Sequence, residues 1–534
     1  MVELFRPLTF IGAIIYFYMS TKHALHMFQQ NRYELPRYMY WMKTQWQNEK
    51  RACIDLFIKE SLLIGIFIIT TVLHINTAIL LGLNIAAMIV LTYLNIIQEK
   101  TAHYIKPLVM TARVKRQLIV MQILNIVYML GVINYVGEKY WALWIVLGSL
   151  LQWVFIIPMF LICEPVEKLV RQYYINDAKK ILRKHNSLKI VGITGSFGKT
   201  SSKHILQEIL AERYYSLMTP ASFNTPMGIT ITIRNDLQSI HEVFICEMGA
   251  DKVGEIDYLT KFVRPQYGVL TSIGPQHLQT FHSLENIINE KFKIIENLPQ
   301  DGIGFLNYDN EYIRNYQVKN PCKIVTFGLE NSNVDFYATN IYYTPNGSVF
   351  DCVIYGKEKI HFETRLLGKH NITNILSAVA VGYHMGISTE QLQEAVRHVK
   401  YVEHRLQVKK DGGVTWIDNA FNSNPVGADM SLEVMKMMPG RRIVITPGLI
   451  DLGDKQDEYN KRFGSHMIGC VDEVYLVGVN QTKAIVEGLK ESGFDMENVY
   501  VCPNVQDAFN QVRLRAKVGD TILLENDLPD AFNK

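Results

Sequence analysis

The chain has 534 residues, enough for three or four domains, and its formal net charge is only +3. This near-neutral balance shows no general bias toward nucleic acid, so we expect no nucleic-acid partner. The seven cysteines are scattered without a C-x-x-C pair, which argues against a disulfide framework or a zinc site and for reduced, mostly buried thiols.

The first 163 residues hold most of the excess of apolar residues. Five apolar runs are visible, at residues 8–18, 56–75, 77–97, 117–136 and 142–163. Four of them approach the roughly 20 residues that a membrane-spanning helix needs, and the first is shorter. A single run of this kind is equally typical of a buried core helix, but four in succession are not. We therefore predict that residues 1–163 form a transmembrane helical region of about five spans.

The charges between these runs predict the orientation. Basic residues cluster in two of the loops: Lys22, Arg32, Arg37, Lys43, Lys50 and Arg51 in one, and Lys100, Lys106, Arg113, Lys115 and Arg116 in the other. Basic loops usually face the cytoplasm. Five spans would then place everything after residue 163 in the cytoplasm, as a multi-pass protein of the cell membrane. Within the spans, Gln122 and Asn125 share a helix face, where either helix–helix hydrogen bonding or contact with a lipid head group or substrate is possible.

Residues 164–187 are charged and helix-prone, with a rough apolar stripe. We predict an amphipathic connector that lies on the membrane surface or packs on the domain that follows. Its basic end suits anionic lipid.

Residues 189–210 read KIVGITGSFGKTSSKHILQEIL, an apolar strand followed by a glycine-rich turn and a helix. Glycines at this turn let the backbone N–H groups point inward and, with the helix N-terminus, form a nest for phosphate. Lysine would reach the β- and γ-phosphates, and threonine would place its hydroxyl on Mg²⁺. The strict P-loop has five residues between its first glycine and the lysine, whereas only three lie here. The predicted nucleotide-binding residues are Gly195, Ser196, Gly198, Lys199, Thr200 and Ser201.

Strand-like runs alternate with helical stretches through residues 188–399, which predicts a parallel sheet with helices on both faces. Ligands in such sheets bind at the carboxyl ends of the strands. Glu247 and His277 each follow a strand, where they could hold Mg²⁺ or phosphate, although a solvated acid and a structural histidine are the simpler alternatives. Lys291 falls on a helix, where a lysine is ordinarily exposed.

Several further stretches carry a resemblance to a known family. They are the short loop Thr-Gly-x-x-Gly-Lys-Thr, ASFNTPMGITITI, CEMGADKVGEI, VRPQYGVLTSIGPQHLQTFHSLENIINEK, the Gly-x-His-Asn-x-x-Asn run before residue 375, and DNAFNSNP. Together they resemble the Mur ligase family over residues 188–534. The resemblance implies an α/β fold with a P-loop central ATP-binding domain at 188–399 and a mobile, Rossmann-like C-terminal domain at 400–534.

The resemblance also implies the roles of individual residues. Thr200, Glu247, His277 and a Lys291 that is often carbamylated would hold two Mg²⁺ ions, while Lys199, Lys291, His277 and Arg405 would act in catalysis. Asn371 and Asn374 would contact the adenine, Arg405 the phosphates, and Asp418 the ribose or the phosphate side of ATP. Asn371 as a helix N-cap is the structural alternative. On the substrate side, Asn224 and Thr225 would face the acyl phosphate, and Asp451 would lie near the incoming amine. Asn422, the neighbour of Asp418, is the fourth predicted substrate residue.

The implied activity is that of an ADP-forming carboxylate–amine ligase of cell-wall biogenesis, closest to D-alanyl-D-alanine addition in peptidoglycan synthesis. Two departures concern the substrates. The chain reads LLENDLPD where the family usually has Lys-Gly-Ser after its last strand, and a membrane region replaces the soluble domain that holds a UDP-linked substrate. The acceptor is therefore expected to be a UDP- or lipid-linked envelope precursor. A poly-amino-acid synthase is a related alternative, and an ATP-driven membrane transporter is one from a different class.

Overall fold

The computed structural model describes residues 2–48, 61–69, 72–101, 107–276, 278–420, 423–450, 452 and 455–526. Two units divide the chain, Met1–Tyr173 and Tyr174–Lys534. None of the six cysteines among the described residues is in a disulfide, and five of them are buried.

The N-terminal unit is helical. Its principal helices are α1 (Val2–Gln30), α2 (Leu35–Asn48), α3 (Thr77–Thr101), α4 (Ala112–Tyr135) and α5 (Trp141–Lys184), and α5 belongs to this unit as far as Tyr173. By length and composition alone, four helical segments of the described residues could cross a membrane: Glu3–Gln30, Thr77–Lys100, Ala112–Tyr135 and Glu138–Lys184. The first is much longer than the run predicted at 8–18, because polar residues on either side continue the helix. The run predicted at 56–75 lies partly outside the described residues.

A buried polar network joins α1, α4 and α5. Gln152 donates through Nε2 to Asn125 Oδ1 at 2.7 Å, and Thr21 Oγ1 donates to Gln152 Oε1 at 2.7 Å. All three side chains are fully buried. The Gln122 amide lies 3.4 Å from Thr21 Oγ1 at the margin of this network. Gln122 and Asn125 therefore make helix–helix hydrogen bonds, which is the structural alternative that the sequence offered.

Helix α5 has 44 residues and a length of about 66 Å, roughly twice the thickness of the hydrocarbon core of a bilayer. Charged residues begin at Glu164 and continue to its end. Glu167 pairs with Arg116 at 2.8 Å, and Glu164 pairs with Arg171 at 2.6 Å. The predicted connector is thus the C-terminal half of one unbroken helix.

The second unit contains a nine-stranded sheet in the order β2-β3-β1-β4-β5-β6-β7-β8-β9. Its strands are β1 (Lys189–Thr194), β2 (Ser216–Met218), β3 (Val243–Glu247), β4 (Tyr267–Leu270), β5 (Ile303–Asn307), β6 (Lys323–Gly328), β7 (Phe336–Thr344), β8 (Gly347–Ile354) and β9 (Glu358–Thr364). Pairing is parallel as far as β7, and β8 and β9 then pair antiparallel. Parallel strands buried on both faces need apolar residues at successive positions, as in β1.

Helices cover both faces of this sheet. They are α6 (Lys199–Ala211), α7 (Pro226–Asn235), α8 (Glu255–Val263), α9 (Leu278–Phe281), α10 (Leu284–Glu296), α11 (Glu311–Arg314), α12 (Lys369–His384) and α13 (Thr389–His398). One hydrophobic core contains Val191 of β1 together with α6 and α12 side chains, and the other contains Ile190 together with α8 and α10 side chains. Successive side chains of β1 therefore point into different cores on the two faces of the sheet. Helix α6 begins just after β1 ends, at the carboxyl edge of the sheet.

A second sheet of six strands has the order β10-β11-β15-β12-β13-β14. Its strands are β10 (Gln407–Asp411), β11 (Val414–Asn419), β12 (Arg442–Thr446), β13 (Glu473–Val477), β14 (Val499–Cys502) and β15 (Thr521–Glu525). All neighbours are parallel except β10 and β11. Its helices are α14 (Pro425–Met437), α15 (Gln456–His466), α16 (Lys483–Glu491) and α17 (Val505–Arg515). The carboxyl ends of β11, β12 and β15 meet at one edge, where Asn419 and Glu525 lie.

Candidate nucleotide and metal site

The turn between β1 and α6 has the geometry of a phosphate loop. Gly198 has φ 82°, a left-handed conformation that costs other residues about 1–2 kcal/mol. At Gly195 a Cβ atom would collide with the Thr271 hydroxyl. Ser196 Oγ donates to the Gly274 carbonyl at 3.1 Å and accepts from the Gly274 N–H at 3.0 Å. The loop after β4 therefore holds the turn against the sheet edge.

Lys199 begins α6 and folds back over this turn. Its ammonium donates to the carbonyls of Gly195 at 2.7 Å and Ser196 at 3.1 Å. Burial lowers the pKa of Lys199, Glu247 opposes that shift, and the positive charge of Arg405 adds to it. A cation held at the mouth of a nest of N–H groups is suited to neutralise a phosphate placed there.

Thr200, Asn224 and Glu247 meet beside the turn. Glu247 ends β3 and is 1% exposed. Its Oε1 accepts from Thr200 Oγ1 at 3.2 Å and from Asn224 Nδ2 at 3.1 Å. Thr200 and Asn224, which the sequence predicted from separate stretches, are therefore both within hydrogen-bonding distance of Glu247. Ser201 lies in the same first turn of α6 and is partly buried.

Lys203 is a site residue that sequence reasoning missed. Its ammonium lies 3.1 Å from Glu247 Oε2, and its side chain is fully buried. The one available signal was its position four residues after Lys199, which places both lysines on the same face of α6.

The residues present fit Mg²⁺. Among the described residues, which exclude His277, no group of three or more His, Cys, Asp or Glu side chains could hold a metal. Magnesium does not require such a group, because it usually takes one or two protein oxygens and completes its shell with water and substrate phosphates. The Thr200 hydroxyl and the Glu247 carboxylate are hard oxygen donors beside the phosphate loop, and Glu247 Oε1 lies 3.2 Å from Thr200 Oγ1.

Lys291 is buried on α10, with 2% exposure, where a surface position was the simpler expectation. Burial lowers its pKa to about 7, the charge of Lys199 adds to the shift, and Asp251, Glu290 and Glu255 oppose it. Neighbouring Glu290 is occupied elsewhere, since it accepts the N–H groups of Gly254 and Ile256 at the start of α8. Lys291 is thus an amine that is partly neutral near pH 7.

Asn371 and Asn374 are buried in the first turns of α12. Gly368 is the N-cap of this helix, so the alternative that Asn371 caps it is wrong. Asn371 instead donates to the Leu367 carbonyl at 2.8 Å. Asn374 Oδ1 accepts from Ser202 Oγ at 3.0 Å. It also lies within 2.9 Å of where a Cβ atom of Gly198 would stand, so Asn374 touches the phosphate loop.

In the second sheet, Asp418 pairs with Lys409 and with the ring of His404, both of its own domain. It accepts from His404 Nδ1 and from Lys409 Nζ, both at 2.9 Å. Burial disfavours its charge, but the hydrogen bonds from Lys409 and His404 outweigh burial and lower its pKa. Arg405 is close enough to Lys199 and to Glu525 to shift both of their pKa values.

Four predicted residues remain, and the structure describes one of them, Thr225. Thr225 accepts the Gly228 N–H at 3.3 Å and caps α7. His277, Asn422 and Asp451 lie outside the described residues. Sequence reasoning also missed Glu525, which is fully buried and accepts from Asn419 Nδ2 at 2.9 Å and from the Ser423 hydroxyl.

Comparison with known proteins agrees with this geometry. The model of the Mur ligase middle domain matches residues 193–382, and that of the Mur ligase glutamate ligase domain matches residues 404–525. The chain belongs to the Mur ligase family. Members of this family are ATP-dependent, ADP-forming amide ligases that use Mg²⁺, and the chain is an enzyme of this type.

Individual relatives agree with the family models. The chain is 28% identical over 341 residues to the UDP-N-acetylmuramoyl-tripeptide–D-alanyl-D-alanine ligase of Bacillus subtilis (strain 168), covering 63% of this chain and 72% of that one. The chain is also 28% identical over 307 residues to the ligase of the same name from Escherichia coli (strain K12), and this match covers 57% of this chain and 67% of that one. The fold resembles MurF ligase from Thermotoga maritima in complex with ADP, with TM-score 0.60 and 23% identity over 67% of this chain and 80% of that one. Neither family model extends into residues 1–192.

Proposed function

We propose that this chain is a membrane-anchored ligase that joins an amino acid or dipeptide to a cell-envelope precursor. The observation that carries the ligase part is the convergence of Thr200, Asn224 and Glu247 beside the phosphate loop. The membrane part rests on four apolar helices of spanning length. Family membership favours amide ligation over the ATP-driven transporter, since amide ligation explains both matched domains without a transport step.

The proposed reaction has two steps. A carboxylate oxygen of the precursor attacks the γ-phosphorus of ATP, the bond to the β–γ bridging oxygen breaks, and ADP leaves. The amine of the second substrate then attacks the carbonyl carbon of the acyl phosphate, loses a proton, and expels inorganic phosphate to leave the amide. The two steps consume one ATP per amide bond and need no other co-reactant.

The residues of the chain act mainly by placing charge. Lys199 would exchange its two carbonyl partners for phosphate oxygens and neutralise them. Asn224 would face the acyl phosphate from the loop that precedes α7. Mg²⁺, held by Thr200 and Glu247, would supply a Lewis acid for the phosphoryl oxygens. Arg405 would add positive charge when the second sheet closes over the nucleotide and excludes water.

The names of the relatives indicate only the classes of substrate that we propose for this chain. The ligases of Bacillus subtilis and Escherichia coli are named for UDP-N-acetylmuramoyl-tripeptide and D-alanyl-D-alanine. We propose a peptidoglycan-type precursor as carboxylate and a D-alanyl-D-alanine-like amine for this chain. Its helical N-terminal unit favours a lipid-linked form of the precursor, because such a substrate is confined to the bilayer.

The test is phosphate release from Mg·ATP by the full-length chain in lipid nanodiscs, with carboxylates and amines added singly and together. UDP-muramoyl-tripeptide with D-alanyl-D-alanine is the first pair, and a lipid-linked muramoyl peptide with the same dipeptide is the second. We expect release only when both members of a pair are present. Release that is independent of any amine would contradict the ligase proposal.

The proposed location is the cell membrane, with the ligase domains in the cytoplasm. The basic loops near Arg37 and Arg113 support this orientation by the positive-inside rule. Protease added to sealed vesicles checks it: the domains after residue 187 should be cleaved in inside-out vesicles and protected in right-side-out ones. The reverse pattern would overturn the orientation.

We further propose that Lys291 is carbamylated, as its buried, partly neutral amine favours. A carbamate forms only on an uncharged amine, and its oxygens would give Mg²⁺ ligands where an ammonium would repel it. Because the pKa of Lys291 is lowered to about 7, the neutral fraction increases as the pH rises through 7.

Lys291→Ala should therefore lower ADP formation by about 10- to 100-fold, and short carboxylic acids should restore part of it. Wild-type enzyme freed of CO₂ should regain activity on addition of bicarbonate, more fully at pH 8 than at pH 6. The matched control is Lys293→Ala, a partly exposed lysine on the same helix, which should respond to neither treatment. Failure of both rescues would contradict the modification.

A further inference from the structure

Lys203 is a fully buried lysine that the proposed reaction does not use. Its ammonium lies 3.1 Å from Glu247 Oε2 and donates to the carbonyl of Ala221. Neither side chain of the ion pair is more than 1% exposed. A buried lysine is costly unless its charge is paired, so the site must be built to hold it.

The two oxygens of Glu247 have different surroundings. Oε1 faces the phosphate loop, where it accepts from Thr200 Oγ1 and Asn224 Nδ2. Oε2 lies 3.1 Å from the Lys203 ammonium and forms an ion pair with it. The Glu247 carboxylate thus has one oxygen directed to the phosphate loop and the other paired with the Lys203 ammonium.

The Ala221 carbonyl extends this arrangement to the substrate loop. Ala221 has a left-handed φ of 43°, and its carbonyl is the hydrogen-bond acceptor of Lys203. Three residues further on, Asn224 reaches Glu247, and its carbonyl accepts the Gly249 N–H at 2.9 Å. A side chain at Gly249 would collide with Asn224, so the two loops are closely packed. Lys203 therefore links α6, the end of β3 and the loop before α7.

We propose that Lys203 is a positioning residue that holds Glu247 with a single oxygen presented to Mg²⁺. It does so by engaging Oε2, and through Ala221 it sets the loop that carries Asn224. The inference rests on the proposed metal site of the ligase. It assigns Lys203 no contact with ATP or with the reacting atoms.

A lysine so near the carboxylate could instead compete with the metal for it. The two roles predict opposite results when the charge is removed. Loss of a competitor would strengthen Mg²⁺ binding. Loss of a positioning group would leave the Glu247 carboxylate free to rotate and would weaken Mg²⁺ binding. Outer-shell partners of metal ligands typically contribute 10- to 100-fold to metal affinity, which favours the second result.

The experiment measures ADP binding by the full-length chain in nanodiscs, with and without Mg²⁺, by calorimetry. The readout is the Mg²⁺ enhancement, the ratio of the two ADP affinities. We expect Lys203→Met to lower this ratio about tenfold while ADP affinity without Mg²⁺ changes little. Ile205→Ala is the matched control, because Ile205 is a fully buried residue of the same helix and packs in the core that contains Val191. This substitution should lower the melting temperature and leave the ratio unchanged.

A double-mutant comparison isolates the route of action. If Lys203 acts through Glu247, adding Lys203→Met to Glu247→Gln should cause no further loss of Mg²⁺ enhancement. If Lys203→Met alone fails to fold, the double variant can still be compared with Glu247→Gln, because it leaves no unpaired buried charge. A further loss, or an increase of the ratio in the single variant, would overturn the inference. Absence of any Mg²⁺ enhancement in the wild type would reject the proposed metal site itself.

Discussion

Lys199→Ala should lower amine-dependent ADP formation by about 10³-fold. The estimate follows from the loss of one charged group that is placed where negative charge develops on the transferring phosphoryl group. Among the described residues, the ammonium of Lys199 donates to the carbonyls of Gly195 and Ser196. Because those carbonyls belong to the loop itself, we expect the fold to survive the substitution.

The measurement is steady-state ADP release under saturating substrates, with thermal unfolding of the same preparation as a check on folding. Lys199→Arg keeps the charge but not the compact ammonium, and should recover only a small part of the rate. Turnover near the wild-type value in the alanine variant would disprove the phosphate role of the loop. If the alanine variant loses turnover because it unfolds, the turnover of Lys199→Arg alone tests the phosphate role of Lys199.

Glu525→Gln should stabilise the C-terminal domain at alkaline pH. Burial raises the pKa of Glu525 from its ordinary 4.5 to about 7, and the hydrogen bonds from Asn419 and Ser423 only partly oppose this. The folded state therefore holds the proton more tightly than the unfolded state. The free energy of unfolding therefore falls as the pH rises from about 4.5 to 7, and above pH 7 the whole destabilisation by the charged carboxylate is present.

A shift of about 2.5 pH units corresponds to on the order of 3 kcal/mol, and this is the stabilisation expected for Glu525→Gln at pH 8. At pH 4.5 the two proteins should be equally stable, because the glutamate is then protonated in the fold. Chemical or thermal unfolding at both pH values gives the comparison. Glu497→Gln, which removes the same charge at an exposed position of the same domain, is the control and should show no such pH dependence. A glutamine variant that is destabilised at pH 8 would mean that the charged form of Glu525 supports the fold.

Local patterns in the sequence were sufficient to predict the phosphate loop. A strand of apolar residues, two glycines and Lys-Thr at the start of a helix predict the turn without any distant contact, and Gly198 has the left-handed φ that this turn requires. Apolar runs of spanning length likewise predicted most of the N-terminal helices, because helix length and hydropathy are local properties. Helix α1 was underestimated, since polar residues beyond 18 continue the helix without continuing the apolar pattern.

Burial was the property that local patterns could not supply. The sequence placed Lys291 on a helix, where a lysine is ordinarily exposed, and nothing in its pattern singled out Lys203 or Glu525. Each is buried only because another segment covers it, and it is burial that moves the pKa of Lys291 and of Glu525 to about 7. The cap of α12 was also decided by the backbone of Gly368, so Asn371 was left to bond Leu367.

By itself, therefore, the sequence determined which residue types stand at the strand ends and the first turn of α6, since these follow from short-range spacing. Only the tertiary structure decided that Glu247 presents one oxygen to Thr200 and Asn224 and the other to Lys203. These residues are brought together by the parallel pairing of β1 with β3 and by the packing of α6 on the sheet. That meeting depends on contacts between segments far apart in the chain, which residue spacing does not encode.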